Sequence, residues 1–150
     1  MIYNVKMHYS KVASDKYLIR LIKGEGVNES VAKFCWQLKI GNAKVTGIGS
    51  VEDPVLAHYR VDTKKYKEKI FNGIFELTSL IGTIAVFEGK PLVHVHVTIS
   101  DEEMKVFGGH LVKGKVSATV EIVLTAFDTN HTKSHIDKIG LKLWDLKDSL

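Results

Sequence analysis

The sequence has 150 residues, 45% of them hydrophobic and 25% charged, with a formal net charge of +4. That size and balance fit one globular domain over 1–150 with a core of ordinary extent. No apolar run approaches the ~18–20 residues of a membrane helix, and the N-terminus, from Met1 to Lys6, lacks the apolar centre of a signal peptide, so a cytoplasmic protein is expected.

The single cysteine, Cys35, excludes an intrachain disulfide and a cysteine-built metal site. Among the 21 basic side chains, nineteen are Lys and two are Arg, Arg20 and Arg60. Lysine meets phosphate as a point charge, whereas bidentate reading of guanine is largely arginine chemistry. Plain surface solvation is the preferred reading of these lysines, and any nucleic-acid contact is expected to be non-specific.

In chain order, residues 1–15 read as a polar leader with a partial strand. Residues 17–22 form a short strand, broken by the turn Lys23-Gly24-Glu25-Gly26. Asn28 is the expected N-cap of a helix, with Glu29 in its first turn. Val31, Phe34, Cys35 and Leu38 form its apolar stripe, and Gly41 closes it. Cys35 on that stripe is read as an inert buried thiol.

Residues 43–52 read as a strand with Gly47 and Gly49 at a bulge or close approach. Asp53-Pro54 is expected to turn the chain into a hairpin with 55–61, on which His58 is a surface residue. The lysine-rich stretch 62–69 is expected to be a charged edge strand. A strand over 74–87 is interrupted at Gly82, and Glu88-Gly89-Lys90-Pro91 turns into the next.

That next strand carries the strongest chemical signal. Val93, Val95, Val97 and Ile99 alternate with Leu92, His94, His96 and Thr98, a period of two rich in β-branched residues. Residues two apart on a strand share a face, with Cα atoms roughly 6–7 Å apart from a rise of ~3.3 Å per residue. His94 and His96 therefore face one way and can approach a shared metal. His110, after the turn Asp101-Glu102-Glu103 and the pair Gly108-Gly109, is the nearest candidate for a third ligand. Three neutral imidazoles leaving one position open is a pattern of ligand-accepting zinc sites.

Beyond His110, Lys113-Gly114-Lys115 reads as a turn and 116–127 as the longest strand. Residues 128–137 read as a polar loop; His131 and His135 are spaced for a helical ligand pair, but a solvated loop is preferred. Residues 139–146 form a last short strand carrying Trp144. About seven or eight strands and one good helix give an α+β fold, a mostly antiparallel sheet under one main covering helix.

The order of these motifs resembles the plants-and-prokaryotes-conserved (PPC) domain. His94-Val95-His96-Val97-Thr98-Ile99-Ser100, an acidic turn, then Gly108-Gly109-His110-Leu111 is similar to that family's core pattern. So is Gly73-Ile74-Phe75-Glu76-Leu77-Thr78-Ser79-Leu80-Ile81-Gly82, with Leu77-Thr78 where the family often has Ile-Leu. Gly47-Ile48-Gly49-Ser50-Val51 matches its early glycine strand. The resemblance spans about Leu18 to Phe127 and implies a PPC-like, strongly curved sheet, a homotrimer, and a metal, expected to be zinc, on His94, His96 and His110.

The resemblance also implies a DNA-binding or regulatory module. The chain lacks the Arg-Gly-Arg-Pro of the AT-hook that accompanies plant members. A likeness of the fold to acetolactate decarboxylase implies an alternative, a zinc enzyme acting on a small carbonyl or carboxylate substrate, with a small molecule at the metal. Glu76 and Glu121, acidic residues set in apolar strands, are then the candidate acid or base. The binding module is the preferred expectation over the enzyme.

Overall fold

The computed structural model describes residues 7–147. Its elements in chain order are β1 (His8–Lys11), β2 (Lys16–Ile22), α1 (Val27–Gln37), β3 (Asn42–Arg60), β4 (Lys65–Ile70), β5 (Ile74–Phe87), β6 (Lys90–Ser100), β7 (Val106–Phe127), β8 (Lys133–Ile136) and β9 (Leu141–Trp144). Seven strands pair in the order β1-β2-β7-β6-β5-β3-β4, and β7 also pairs with β3. Strands β3, β5, β6 and β7 thus form a closed circuit of antiparallel pairings. The expected α+β fold, a strongly curved antiparallel sheet with one covering helix, is what forms. A separate two-stranded sheet, β8 and β9, follows it.

Period-two alternation fixes which face of the sheet is buried. Val95, Val97 and Ile99 of β6 and Leu111, Val116, Val120, Ile122 and Leu124 of β7 all point inward and are buried. Each such side chain contributes ~1.5–3 kcal/mol when fully buried. Helix α1 closes the core by laying Val27, Val31, Phe34 and Cys35 against β6 and β7. Tyr9 and Tyr17 meet the Phe34 ring edge-on, with centroids 5.1 and 5.4 Å away. Burial pushes the Cys35 thiol up to about 12, the inert state expected of it.

The helix ends differ from the reading of the sequence. Gly26, not Asn28, is the N-cap, and Asn28 instead donates its amide to the Leu111 carbonyl at 3.0 Å. At the other end Lys39, not Gly41, takes the left-handed conformation, at φ 56°. Its N–H reaches the Trp36 carbonyl and the Ile40 N–H reaches that of Cys35, the paired bonds of a Schellman closure.

Three expected breaks are continuous strand. The chain does not fold back at Asp53-Pro54: β3 runs through with a register shift, and 55–60 pair with β4 and β7 rather than with 43–52. Asp53 absorbs the irregularity at φ 46° while its carboxylate accepts the Gly73 N–H. Likewise β7 passes through Lys113-Gly114-Lys115, and β5 passes through Gly82. The expected bulge at Gly47 and Gly49 and the exposed lysine edge strand β4 are both present. The polar stretch after 128 contains β8, so His131 and His135 do not share a helix. No helix of the described residues is long and apolar enough to cross a membrane.

Candidate metal centre

The site is built on two adjacent strands. Because Val95 and Val97 are drawn into the core, His94 and His96 are forced onto the opposite face of β6. In the β6–β7 ladder His96 lies opposite His110, so the third imidazole arrives by register. The two glycines before His110 do not turn the chain. They sit inside β7, where a Cβ at Gly109 would stand 2.9 Å from the Ala57 carbonyl oxygen, so they let three strands pack closely here.

The three rings form a near-equilateral cluster. Centroids are 5.2 Å apart for His94 and His96, 5.3 Å for His94 and His110, and 5.6 Å for His96 and His110. One ligand atom from each lies within 4.8 Å of the others. Around a tetrahedral zinc with bonds of ~2.0–2.1 Å such atoms stand roughly 3.3–3.5 Å apart, a gap that small ring rotations close. His110 Nδ1 is buried and has no hydrogen-bond partner. An orphaned buried nitrogen costs ~1–3 kcal/mol, which a bound cation would relieve. The donor set therefore fits a divalent metal.

The electrostatics keep the ligands ready. Burial lowers the His94 pKa to about 4, assisted by Lys133, His110 and His96. Burial and His96 likewise lower that of His110. Neutral imidazole is the form that binds metal, so these rings stay competent well below the usual histidine range.

A cleft of about 660 Å³ opens beside the cluster. Tyr59 and Tyr66 form one side, Tyr66 stacked 5.3 Å from His110, and Lys133, His135 and Leu143 of the C-terminal hairpin form another. His58, read as a surface residue, also lines it without joining the cluster. Burial raises the pKa of Tyr66 and lowers that of Lys133. Lys133 Nζ lies 3.4 Å from His94 Nδ1 and 5.2 Å from the centre of the Trp144 ring.

Glu76 and Glu121, the acidic candidates, are exposed on β5 and β7 and do not line this cleft. None of the lining residues is acidic. Lys133 carries no signal of its own in the sequence, because it lies in a polar stretch without periodicity.

A three-histidine cluster at the junction of two strands in a closed, strongly curved antiparallel sheet, roofed by one helix, defines a class of small metal-capable α+β modules. The chain belongs to the Plants and Prokaryotes Conserved (PCC) domain family, whose model matches residues 9–128. A plant- and prokaryote-conserved (PPC) protein from Pyrococcus horikoshii is 33% identical, with a TM-score of 0.83 over 99% of this chain and 100% of that one. A candidate DNA-binding protein from Ralstonia eutropha JMP134 is 26% identical, with a TM-score of 0.85 over 93% and 96%. A metal-containing protein from Archaeoglobus fulgidus is 27% identical, with a TM-score of 0.81 over 91% and 97%. No match among curated proteins accompanies these likenesses.

Proposed function

We propose that the chain is a cytoplasmic, homotrimeric PPC-domain module that holds one zinc ion on His94, His96 and His110 and serves a regulatory, DNA-associated role. The observation that carries the metal assignment is the cluster itself: three imidazoles, one with an orphaned buried nitrogen, on two hydrogen-bonded strands. The metal-containing relative from Archaeoglobus fulgidus supports it. When bound, zinc would supply a Lewis-acidic position open to a small ligand. Leu92, Val93, Leu141 and Leu143 line the cleft beside that position with apolar surface, and Tyr59, Tyr66 and Lys133 with polar groups.

Trimerisation is supported by an apolar outer face. Leu18, Val123, Thr46 and Ile81 lie in one register row across β2, β7, β3 and β5, and Ile48 stands beside it. Leu18 is 48% exposed, Ile48 60%, Ile81 52% and Val123 44%. Such contiguous exposed apolar surface is typical of contact sites between chains. The DNA role is supported by the description of the Ralstonia eutropha relative and by β4, exposed throughout and carrying Lys65, Lys67 and Lys69.

A second reading, a zinc enzyme acting on a small carbonyl or carboxylate compound, is favoured by the cleft beside the cluster. Glu76 and Glu121 lie outside that cleft, so Tyr66 and Lys133 would be the groups placed to hold or move a proton there. Elemental analysis of untagged protein tests the metal assignment: wild type should carry about one equivalent of zinc, and His96→Ala should carry essentially none. Equal metal content in both would refute it.

A further inference from the structure

The part of the cleft that the family pattern does not describe is its C-terminal wall. The family match ends at residue 128, whereas β8 and β9 lie beyond it. This hairpin brings Lys133 into the cleft beside His94. Lys133 is only 7% exposed and makes no ion pair among the described residues. Its polar contact is with His94 Nδ1, and its other neighbour is the Trp144 ring. A buried ammonium without a counter-charge is costly, and it is normally paired.

Metal binding removes even that contact. A neutral imidazole has one N–H and one lone pair. If His94 binds the metal through Nδ1, that atom no longer accepts a hydrogen bond from Lys133. If it binds through Nε2, the ring proton must reside on Nδ1, which again cannot accept from an ammonium. Either way a Lys133 that keeps its proton is left without an acceptor, next to a divalent cation and in a cleft with no lining carboxylate. The charge on both sides then calls for an anion between them.

We propose that the C-terminal hairpin converts the histidine site into a receptor for a small oxyanion, a carboxylate or a phosphate, held by the Lys133 ammonium on one side and the histidine-bound metal on the other. This rests on the metal reading above. It makes Lys133, the buried one of the two lysines that line the cleft, the residue that chooses ligand charge: anions enter, while neutral molecules of the same shape leave its ammonium unpaired.

The test is calorimetric titration of acetate, oxalate and inorganic phosphate into zinc-loaded wild type and zinc-loaded Lys133→Met, with acetamide as the neutral control. Zinc affinity is measured in parallel, and thermal melts verify that the variant is folded. At least one oxyanion should bind the wild type at least about tenfold more tightly than the variant, and acetamide should bind neither detectably. Which probe prevails separates carboxylate from phosphate. In wild type, the side-chain ammonium resonance of Lys133 should shift on adding that oxyanion, a readout independent of the variant's folding. Zinc bound by both proteins with equal oxyanion affinity, or with no oxyanion bound, overturns the proposal alone. Failure of the wild type to bind zinc overturns the metal reading and the proposal together.

Discussion

Replacing Gly82 with alanine should damage the histidine site from the neighbouring strand. Gly82 pairs with Val95 between the two histidines, and a Cβ there would lie 2.7 Å from both the Cα and the Cγ1 of Val95 and would collide with the His94 carbonyl oxygen. Carbon atoms settle at ~3.5–4.0 Å, so β6 must retreat by about 1 Å. Backbone atoms cannot swing aside, and β6 is held on its far edge by β7 from His96 to Ser100. Overpacking of this kind costs ~1–3 kcal/mol. At ~2–4 °C per kcal/mol for a domain of this size, the melting midpoint should fall by roughly 2–12 °C. Ligand positions tolerate only ~0.5 Å of error, so zinc affinity should fall by about tenfold or more. Gly114→Ala is the control: its Cβ would meet Leu111 and Val51 side chains at 3.4 and 3.6 Å, nearly ordinary contact, and should change stability by under about 1 kcal/mol. Scanning calorimetry and competitive zinc titration decide it. A Gly82→Ala protein that melts and binds zinc as wild type does would refute the close-approach argument.

Light scattering should give a particle of about three times 16.8 kDa, and Ile48→Glu, which places charge on the outer apolar face, should reduce it to the monomer; a variant that stays trimeric would remove that face as the interface. Metal-free protein should lose stability as pH falls from ~6.5, where an unfolded histidine takes up its proton, to about 4, where folded His94 does. Comparing melts of wild type and His94→Asn across this window should show a smaller loss in the variant, and equal slopes would count against it. DNA binding, where measured, should weaken with a slope of ~0.9 in log affinity against log salt per phosphate contacted and should ignore sequence. A site preferred by more than ~100-fold at ~150 mM salt would contradict the lysine-based account.

What was legible in the sequence follows from which signals are local. His94 and His96 were placed on one face because valines and isoleucine alternate with them without interruption, and burial of those apolar chains fixes the pleat. His110 was found by proximity in sequence, but its place is fixed by pairing with His96, a long-range fact. Glycine and proline misled where they serve packing rather than turning. Gly82, Gly114 and Asp53-Pro54 look like breaks in a single chain, yet in a closed circuit they are where strands bend or press together. Asn28 is a good cap by composition, but its amide meets the Leu111 carbonyl, a partner 83 residues away that no local reading supplies. Lys133 reaches the site through the β8–β9 pairing and through the anchoring of the residues just before it to Asn42 and to Val86 of β5.

The closed circuit of β3, β5, β6 and β7 has a kinetic side. Its closing pairs, from Asn42 with Phe127 to Ala57 with His110, join residues far apart in the chain, so ordering entropy must be spent before those contacts form. Chains dominated by such pairings fold in milliseconds to seconds rather than microseconds. The three histidines, by contrast, all sit on β6 and β7, which are adjacent in sequence, so bringing them together closes only a short loop. Zinc bound as proposed would therefore meet its ligands early in refolding, and whatever affinity that pair of strands retains in the unfolded chain would be subtracted from the stabilisation zinc gives the folded one. The expected signature is a metal that accelerates refolding more than it raises the melting midpoint.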